Sequence, residues 1–481
     1  MSQSAVHGVA SQQQALPLCV DLDGTLIRSD TLVEGLLECL RTPKAFLEIP
    51  PLLVAGRAAL KKRVAEIVEL DPRYLPYNTE LLDYLRAQKA AGRELVLATA
   101  ADAQVAKKVA DHLDIFDEVM SSDGSTNLKG EKKAEALAAR FGEKGYAFVG
   151  NDDADLPALR GAKSIVLVNA SDRIRRLATK DAELEAEFSD KRSVARSILK
   201  AMRPYQWVKN FLVFVPMLAS HTVTNLHSWI AVTLLLCAFC ATASAIYVSN
   251  DLMDLAEDRR HPRKKARPFA SGALSAKSGF ILFIALLAIG GAMAVLSGAW
   301  WVVAIYAVAS TLYSWFLKVF PLVDVFMLAA LYTIRILAGG IVSGHPASPW
   351  LLGFSGFLFL SLALVKRTEE LSSASRAGGG VSSRRGYYAT DLPLLQIFGC
   401  ASAFASTVVL ALFVGSTAAS AQYSNPEALW AIVPLILFWE CRIWLAAFRG
   451  YMHDDPIVYA ARDWVSWIVV GLVLTLGAFA I

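Results

Sequence analysis

The chain has 481 residues, 55% of them hydrophobic, with a formal net charge of +4 and a mean hydropathy of +0.43, which is too apolar for an ordinary soluble protein of this length. Its Lys and Arg residues gather in particular loops instead of spreading over one face, which excludes a nucleic-acid partner. The six cysteines (Cys19, Cys39, Cys237, Cys240, Cys400 and Cys441) show no paired metal-ligand spacing and read as small core residues.

Residues 1 to 200 are rich in charge, whereas from about Trp207 to Ile481 apolar runs of roughly 18 to 22 residues recur, long enough to cross a bilayer as helices. Two parts follow: residues 1–190, then a linker at 191–206 and a membrane domain at 207–481. The opening residues lack the basic start and apolar core of a secretory signal, so the first part is expected in the cytoplasm.

In the first part, Leu16 to Val20 reads as a short apolar strand that runs into Asp21-Leu22-Asp23-Gly24-Thr25. Side chains at i and i+2 of an extended segment share one side, so Asp21 and Asp23 can both face a substrate at the strand's carboxyl end, where open α/β sheets bind ligands. Two more strand-like runs follow, Glu94 to Ala98 before Thr99 and Tyr146 to Val149 before Gly150-Asn151-Asp152-Asp153-Ala154-Asp155. Residues 171 to 200 carry mixed charge with helical periodicity and read as a linker or surface helix.

These ordered elements resemble the haloacid dehalogenase superfamily of phosphatases. The resemblance implies a Rossmann-like α/β domain, with a small helical cap over residues 30–90 that restricts which substrate enters. It makes Asp21 the nucleophile, Asp23 the general acid/base and Thr99 a donor to phosphate oxygens. Lys133 would be the phosphate-neutralising cation, with Lys129 the alternative. Asp21, Asp23, Asn151 and Asp155 would hold Mg²⁺, which offsets repulsion between carboxylate and phosphate. Asn151 stands where the family usually has an aspartate, and Asn ligates through its carbonyl oxygen without bringing charge.

In the second part, about nine apolar runs are candidate spans: 207–220, 229–249, 279–297, 299–317, 320–342, 349–365, 396–416, 428–447 and 463–481. The loops at 250–277, 366–385 and 448–463 carry most of the Lys and Arg, while 219–228, 343–349 and 417–427 carry none. The basic set is therefore expected on the cytoplasmic side of the inner membrane and the C-terminus outside. Trp300, Trp301, Trp315, Trp350 and Trp430 read as interface anchors. Ala374 to Ser383 reads as a flexible loop or a lid.

The second span runs into Asn250-Asp251-Leu252-Met253-Asp254, with Asp258, Lys264 and Arg267 downstream. Asp251, Asp254 and Asp258 fall at i, i+3 and i+7, one helical face, and three such carboxylates suit Mg²⁺ bridged to a diphosphate. This run, with Arg203 to Asn210, Tyr313 to Lys318, Asp324, Arg335 to Gly339, Lys366 to Leu371 and His453-Asp454-Asp455-Pro456, resembles the UbiA-type intramembrane prenyltransferase superfamily. Its nearest branch is that of decaprenyl-phosphate phosphoribosyltransferases.

The resemblance implies an all-α membrane bundle that moves phosphoribosyl from 5-phosphoribosyl 1-diphosphate to polyprenyl phosphate. Asp251, Asp254 and Asp258 would hold Mg²⁺, and Asn250, Lys209, Lys264, Arg267, Lys318, Lys366 and Arg367 would contact substrate. Lys318, Lys366 and Arg367 serve equally as inner-leaflet anchors. The fused phosphatase would remove the 5-phosphate of the product. The alternatives are a prenyltransferase with a prenyl diphosphate donor, disfavoured by the lone downstream Asp324, a regulatory soluble domain, and a transporter or receptor fused to an enzyme.

Overall fold

The computed structural model describes residues 15–41, 45, 48, 56–123, 126–189, 193–220, 225–376, 385–452 and 455–481. Most of the loop expected at 374–383, together with His453 and Asp454, lies outside them. Packing divides the chain into two units, residues 1–201 with 248–281, and residues 202–247 with 282–481.

The first unit is built on six strands: β1 (Leu18–Val20), β2 (Leu95–Asp102), β3 (Glu118–Ser122), β4 (Ala147–Gly150), β5 (Ser164–Val168) and β6 (Glu183–Phe188). They form one parallel sheet of order β3-β2-β1-β4-β5-β6. Leu18 pairs with Leu95 on one side and Ala147 on the other, which makes β1 central. A parallel strand is buried on both faces, which is why β1 and β5 read as unbroken apolar runs. The order reverses beside β1, and that is where the crevice of such sheets opens.

The helices of this unit's first segment are α1 (Thr31–Arg41), α2 (Arg57–Ile67), α3 (Thr79–Ala90), α4 (Ala103–Leu113), α5 (Glu131–Phe141), α6 (Leu156–Gly161), α7 (Asp172–Ala178) and α8 (Val194–Met202). One face of the sheet packs Leu18, Val20 and Leu97 against Leu81 and Leu85 of α3 and Val109 of α4. The other packs Cys19, Val96 and Phe148 against Leu137 of α5 and Leu159 of α6.

A separate small core of Cys39, Leu60, Val64 and Val68 holds α1 against α2 and forms the cap. The cap ends short of the expected residue 90, because α3, capped by the Asn78 side chain, buries Leu81, Leu82 and Leu85 in the sheet core. The expected linker at 171–200 is also corrected. Its middle is β6, which pairs with β5, and α7 and α8 flank it.

The remaining elements are α9 (Val215–Ala219), α10 (Leu226–Met253), α11 (Leu255–Arg260), α12 (Ala276–Leu296), α13 (Trp300–Trp315), α14 (Val323–Ser343), α15 (Pro349–Arg376), α16 (Leu392–Val414), α17 (Thr417–Gln422), α18 (Ile432–Phe448), α19 (Pro456–Arg462) and α20 (Trp464–Ala480). Among the described residues six helices are long and apolar enough to cross a membrane, or seven if the bent pair α19 and α20 is one span.

Nine spans are therefore not found. Residues 204–214 coil as a 3₁₀ helix before the five-residue α9, and α13 has only 16 residues. The cysteine reading holds for Cys19 and Cys39, which are buried, while Cys237 and Cys441 lie exposed on spanning helices.

Candidate active sites

The first site forms where β1 and β4 end. Asp21 directly follows β1, Asn151 directly follows β4, and Lys133 enters from the first turn of α5. Lys133 Nζ donates to Asp21 Oδ1 at 2.7 Å and to Asp155 Oδ1 at 2.9 Å, with all three side chains buried. The structure thereby brings Lys133 to the carboxylates and leaves Lys129 exposed at the cavity edge.

Asp23 accepts from the Thr31 backbone N–H at 2.8 Å and the Thr31 hydroxyl at 3.3 Å. Asp155 Oδ2 accepts from the Asn151 N–H at 3.1 Å, so the two residues brace the turn after β4. Gly24 is required beside this turn. Its φ is +80°, and a Cβ there would lie 2.5 Å from Asn151 Nδ2.

Burial, with Asp155 second, pushes Asp21 up to about 7 against the pull of Lys133. Burial and the nearby Asp30 push Asp23 up to about 8. On Lys133 burial opposes the charge, but Asp21 and Asp155 outweigh it and hold the ammonium above its ordinary value. The site is thus short of positive charge. Asn151 Oδ1 is buried with no hydrogen-bond partner, an acceptor that a divalent cation would satisfy together with Asp21. Asp155, with Lys133 on one oxygen and a backbone N–H on the other, supports that arrangement from behind.

Thr99 departs from expectation. It is fully buried within β2, which continues to Asp102, and its hydroxyl accepts from the Ala101 N–H at 3.0 Å. The cavity wall is made instead by Ala100 and by Lys61 of the cap, whose Nζ donates to Ala100 O at 2.5 Å and Asn127 Oδ1 at 2.9 Å. Burial lowers the pKa of Lys61. A lone lysine in a charged helix gave no signal in the sequence. The cavity measures about 470 Å³, and Leu255, Arg259, Phe269 and Lys277 also line it.

The second acidic cluster lies in the same packing unit. Asp251 sits in the last turn of α10, and the helix breaks at Asp254, whose ψ of 14° starts α11. Asp251 Oδ1 and Asp258 Oδ2 both accept from one atom, Arg267 Nη1, at 3.0 and 2.6 Å. Both carboxylates are at most 2% exposed. Asp254 takes no part in that bridge, so the expected three-carboxylate face is reduced to a pair, and among the described residues no three acidic, His or Cys side chains converge as a metal group.

A cation nonetheless fits. Arg267 already supplies one positive charge between the two carboxylates, and Asp258 Oδ1 is buried without a hydrogen-bond partner. Lys264 Nζ is 3.9 Å from that oxygen. Asn250 is half-buried one residue before Asp251.

In the second unit the cations form a network around Asp455. Lys209 Nζ donates to Asp455 Oδ2 at 2.7 Å, Lys366 Nζ at 3.2 Å, and the Tyr332 hydroxyl at 3.2 Å. Arg335, buried within α14, donates to Asn210 Oδ1 at 2.8 Å and the Tyr306 hydroxyl at 3.1 Å, with its guanidinium over the Tyr306 ring. A buried arginine in an apolar span is a functional signal; the sequence reading named it only among the residues of the family resemblance, without a role.

Arg367 differs from its expected role as a phosphate contact. Its guanidinium is committed to Asp324, Glu370 and the Tyr313 hydroxyl, and Asp324 also accepts from Tyr387. Lys318 lies half-buried in the 3₁₀ turn 317–319.

These features define a membrane-spanning bundle fused to a haloacid dehalogenase-like hydrolase unit. The family described as UbiA prenyltransferase matches residues 211–456, and haloacid dehalogenase-like hydrolase matches residues 18–160. The chain belongs to the UbiA prenyltransferase family and carries an N-terminal haloacid dehalogenase-like domain.

An uncharacterized protein, y4nM, of Sinorhizobium fredii is 38% identical over 95% of this chain and 90% of its own length. Nodulation protein NoeC of Azorhizobium caulinodans is 36% identical over 58% of this chain and 91% of its own. The decaprenyl-phosphate phosphoribosyltransferase of Mycolicibacterium smegmatis is 30% identical over 58% of this chain and 90% of its own.

Proposed function

We propose that this protein transfers phosphoribosyl from 5-phosphoribosyl 1-diphosphate to a polyprenyl phosphate, and that its hydrolase domain removes the 5-phosphate from the product. The observation that carries the first half is the pair of buried aspartates, Asp251 and Asp258, gathered about one positive charge. The lone aspartate further down, Asp324, is wholly engaged by Arg367 and Tyr387. One carboxylate cluster suits one diphosphate, and the likeness to a decaprenyl-phosphate phosphoribosyltransferase supports the same donor.

An oxygen of the lipid phosphate attacks ribose C1, the bond from C1 to the diphosphate oxygen breaks, and diphosphate leaves. Asp251 and Asp258 would hold Mg²⁺, which supplies Lewis-acid stabilisation of the leaving diphosphate. Lys264 and Arg267 neutralise the phosphates near that cluster, and Lys209, Lys318 and Lys366 are the further phosphate contacts.

In the hydrolase domain Asp21 attacks phosphorus and the ester bond breaks, while Asp23 gives its proton to the leaving ribose oxygen. Asp23 then takes a proton from the water that hydrolyses the aspartyl phosphate. Lys133 neutralises charge at Asp21 throughout. Asp21, Asp23 and Asn151 would hold the Mg²⁺ that screens carboxylate from phosphate, with Asp155 behind them. The basic loops support a cytoplasmic placement of both sites in the inner membrane, with the C-terminus outside.

The test uses purified protein in detergent with polyprenyl phosphate, Mg²⁺ and labelled phosphoribosyl diphosphate. Label should enter the lipid phase with wild type and not with Asp251→Asn. The lipid product should then lose inorganic phosphate to wild type and not to Asp21→Asn. Folded wild type that transfers no label would sink the donor assignment and point to a prenyl diphosphate. Equal phosphate release by wild type and Asp21→Asn would sink the hydrolase assignment.

A further inference from the structure

Glu34 and Arg259 form a buried, two-pronged ion pair. Arg259 Nη1 and Nη2 donate to Glu34 Oε2 and Oε1 at 2.6 and 2.7 Å, and both side chains are only 6% exposed. The third nitrogen, Nε, donates to Ala270 O at 3.1 Å. A second bridge joins the far end of the same helices, Arg41 Nη2 to Glu257 Oε1 at 2.7 Å. Helix α1 is thus fastened at two points to α11, the short helix that follows the aspartate motif.

What α1 carries gives the fastening its meaning. Thr31, one turn before Glu34, supplies the backbone N–H and the hydroxyl that hold the two oxygens of Asp23. At the other end, Asp258 immediately precedes Arg259 and shares Arg267 with Asp251. A continuous series of contacts therefore runs from Asp23 through Thr31, Glu34 and Arg259 to the diphosphate cluster. Arg259 also lines the hydrolase cavity.

We propose that Arg259 is a positioning residue of the hydrolase site: through Glu34 it fixes helix α1, and with it the Thr31 donors that hold Asp23 in place. The segment that carries the transferase aspartates thereby completes the hydrolase. Removing either partner leaves the other charge buried and unpaired, which frees α1 to shift. The proposal rests on the reading of Asp23 as the general acid.

The experiment compares two phosphomonoesters on the full-length protein in detergent. An alkyl leaving group, as in ribose 5-phosphate, must be protonated as it departs, whereas para-nitrophenolate leaves as an anion. The step to read is the first, release of the leaving group in a single pre-steady-state turnover, because the later hydrolysis of the aspartyl phosphate also uses Asp23 and is common to both esters. Arg259→Gln and Glu34→Gln should each slow that first step at least about 10-fold for ribose 5-phosphate and leave it within about 3-fold for para-nitrophenyl phosphate. Equal loss on both substrates, or loss on neither, overturns the proposal.

Amide hydrogen exchange over residues 31–36 gives a readout independent of turnover. It should quicken about 10-fold in both variants and stay unchanged in Arg263→Gln, an exposed control. Unaltered exchange in Arg259→Gln overturns the proposal. Wild type inactive on both esters would remove the hydrolase reading, and the exchange measurement alone would then decide whether Arg259 positions α1.

Discussion

Arg267 meets Asp258 at 2.6 Å through a nitrogen that also serves Asp251. One guanidinium group thus offsets half the charge of two buried carboxylates. We predict that Arg267→Gln destabilises the protein in EDTA by ~3–5 kcal/mol, the cost of a broken buried pair. Mg²⁺ should restore much of the loss, because it supplies the missing charge. Thermal melts with and without Mg²⁺ check this, and a variant indifferent to Mg²⁺ would count against a cation at Asp251 and Asp258.

Lys133 is the sole described ammonium that bridges Asp21 and Asp155. Replacement by Met should lower phosphate release by roughly 10² or more, since the phosphoryl oxygens lose their cation. Stability should fall as well, because two buried carboxylates then face each other. Lys129→Met, at an exposed position, should retain activity within about 3-fold. Phosphate-release assays beside melts separate the two effects.

Asn151 offers an unpartnered buried oxygen to the hydrolase site. Asn151→Asp adds a negative charge there and should lower the Mg²⁺ concentration for half-maximal phosphate release roughly 10-fold. Gly24→Ala should abolish release, since the added methyl meets Asn151 Nδ2 and the backbone is left-handed. A Mg²⁺ titration of the three proteins is sufficient, and an unshifted titration in Asn151→Asp would remove that residue from the ligand set.

The pH dependence of the hydrolase unit has a separate origin. Glu185 on β6 is pushed up by burial, but hydrogen bonds from Arg93 and Tyr84 outweigh this and hold it below its ordinary 4.5. A depressed carboxylate stabilises the fold above its unfolded pKa and loses that contribution as pH falls through the folded value. The wild type's resistance to denaturation should therefore weaken as pH falls below about 4.5. Arg93→Gln should be less stable at pH 7 and show a flatter acid limb.

In the second unit Asp455 holds Lys209 and Lys366 together. Asp455→Asn should reduce transfer of label at least about 10-fold through mutual repulsion of the two ammonium groups. Tyr332→Phe, which removes a hydroxyl shared by both Asp455 oxygens, should cost about 1.5–3 kcal/mol of stability. Transfer assays and melts on both variants test the ranking.

The hydrolase fold was legible in the sequence where strands carry chemistry at their ends. Asp21, Asp23, Asn151 and Asp155 all sit where the strand-end argument puts them. β3, β5 and β6 went unread, the last two for opposite reasons. Ser164–Val168 is followed by no motif, and Glu183–Phe188 alternates charge in a way that matches a surface helix as well as an edge strand.

Within the aspartate motif Asp251 and Asp258 meet at Arg267 although they lie on two helices, and the break at Asp254 was invisible because local sequence does not reveal where a helix yields to packing. The network of Lys209, Tyr332 and Asp455 joins residues 246 positions apart, a pairing that no local pattern reports.

The last strand of the sheet has a practical consequence. Glu183, Glu185 and Glu187 occupy alternate positions along β6, the outermost strand. Like charges spaced in this way discourage another chain from pairing with an open edge. Immediately inside lies β5, with Ile165 to Val168 fully buried. A fragment cut before Glu183 would offer that apolar strand to any neighbour and should precipitate on expression. A fragment carried through Phe188 keeps its own guard at that edge.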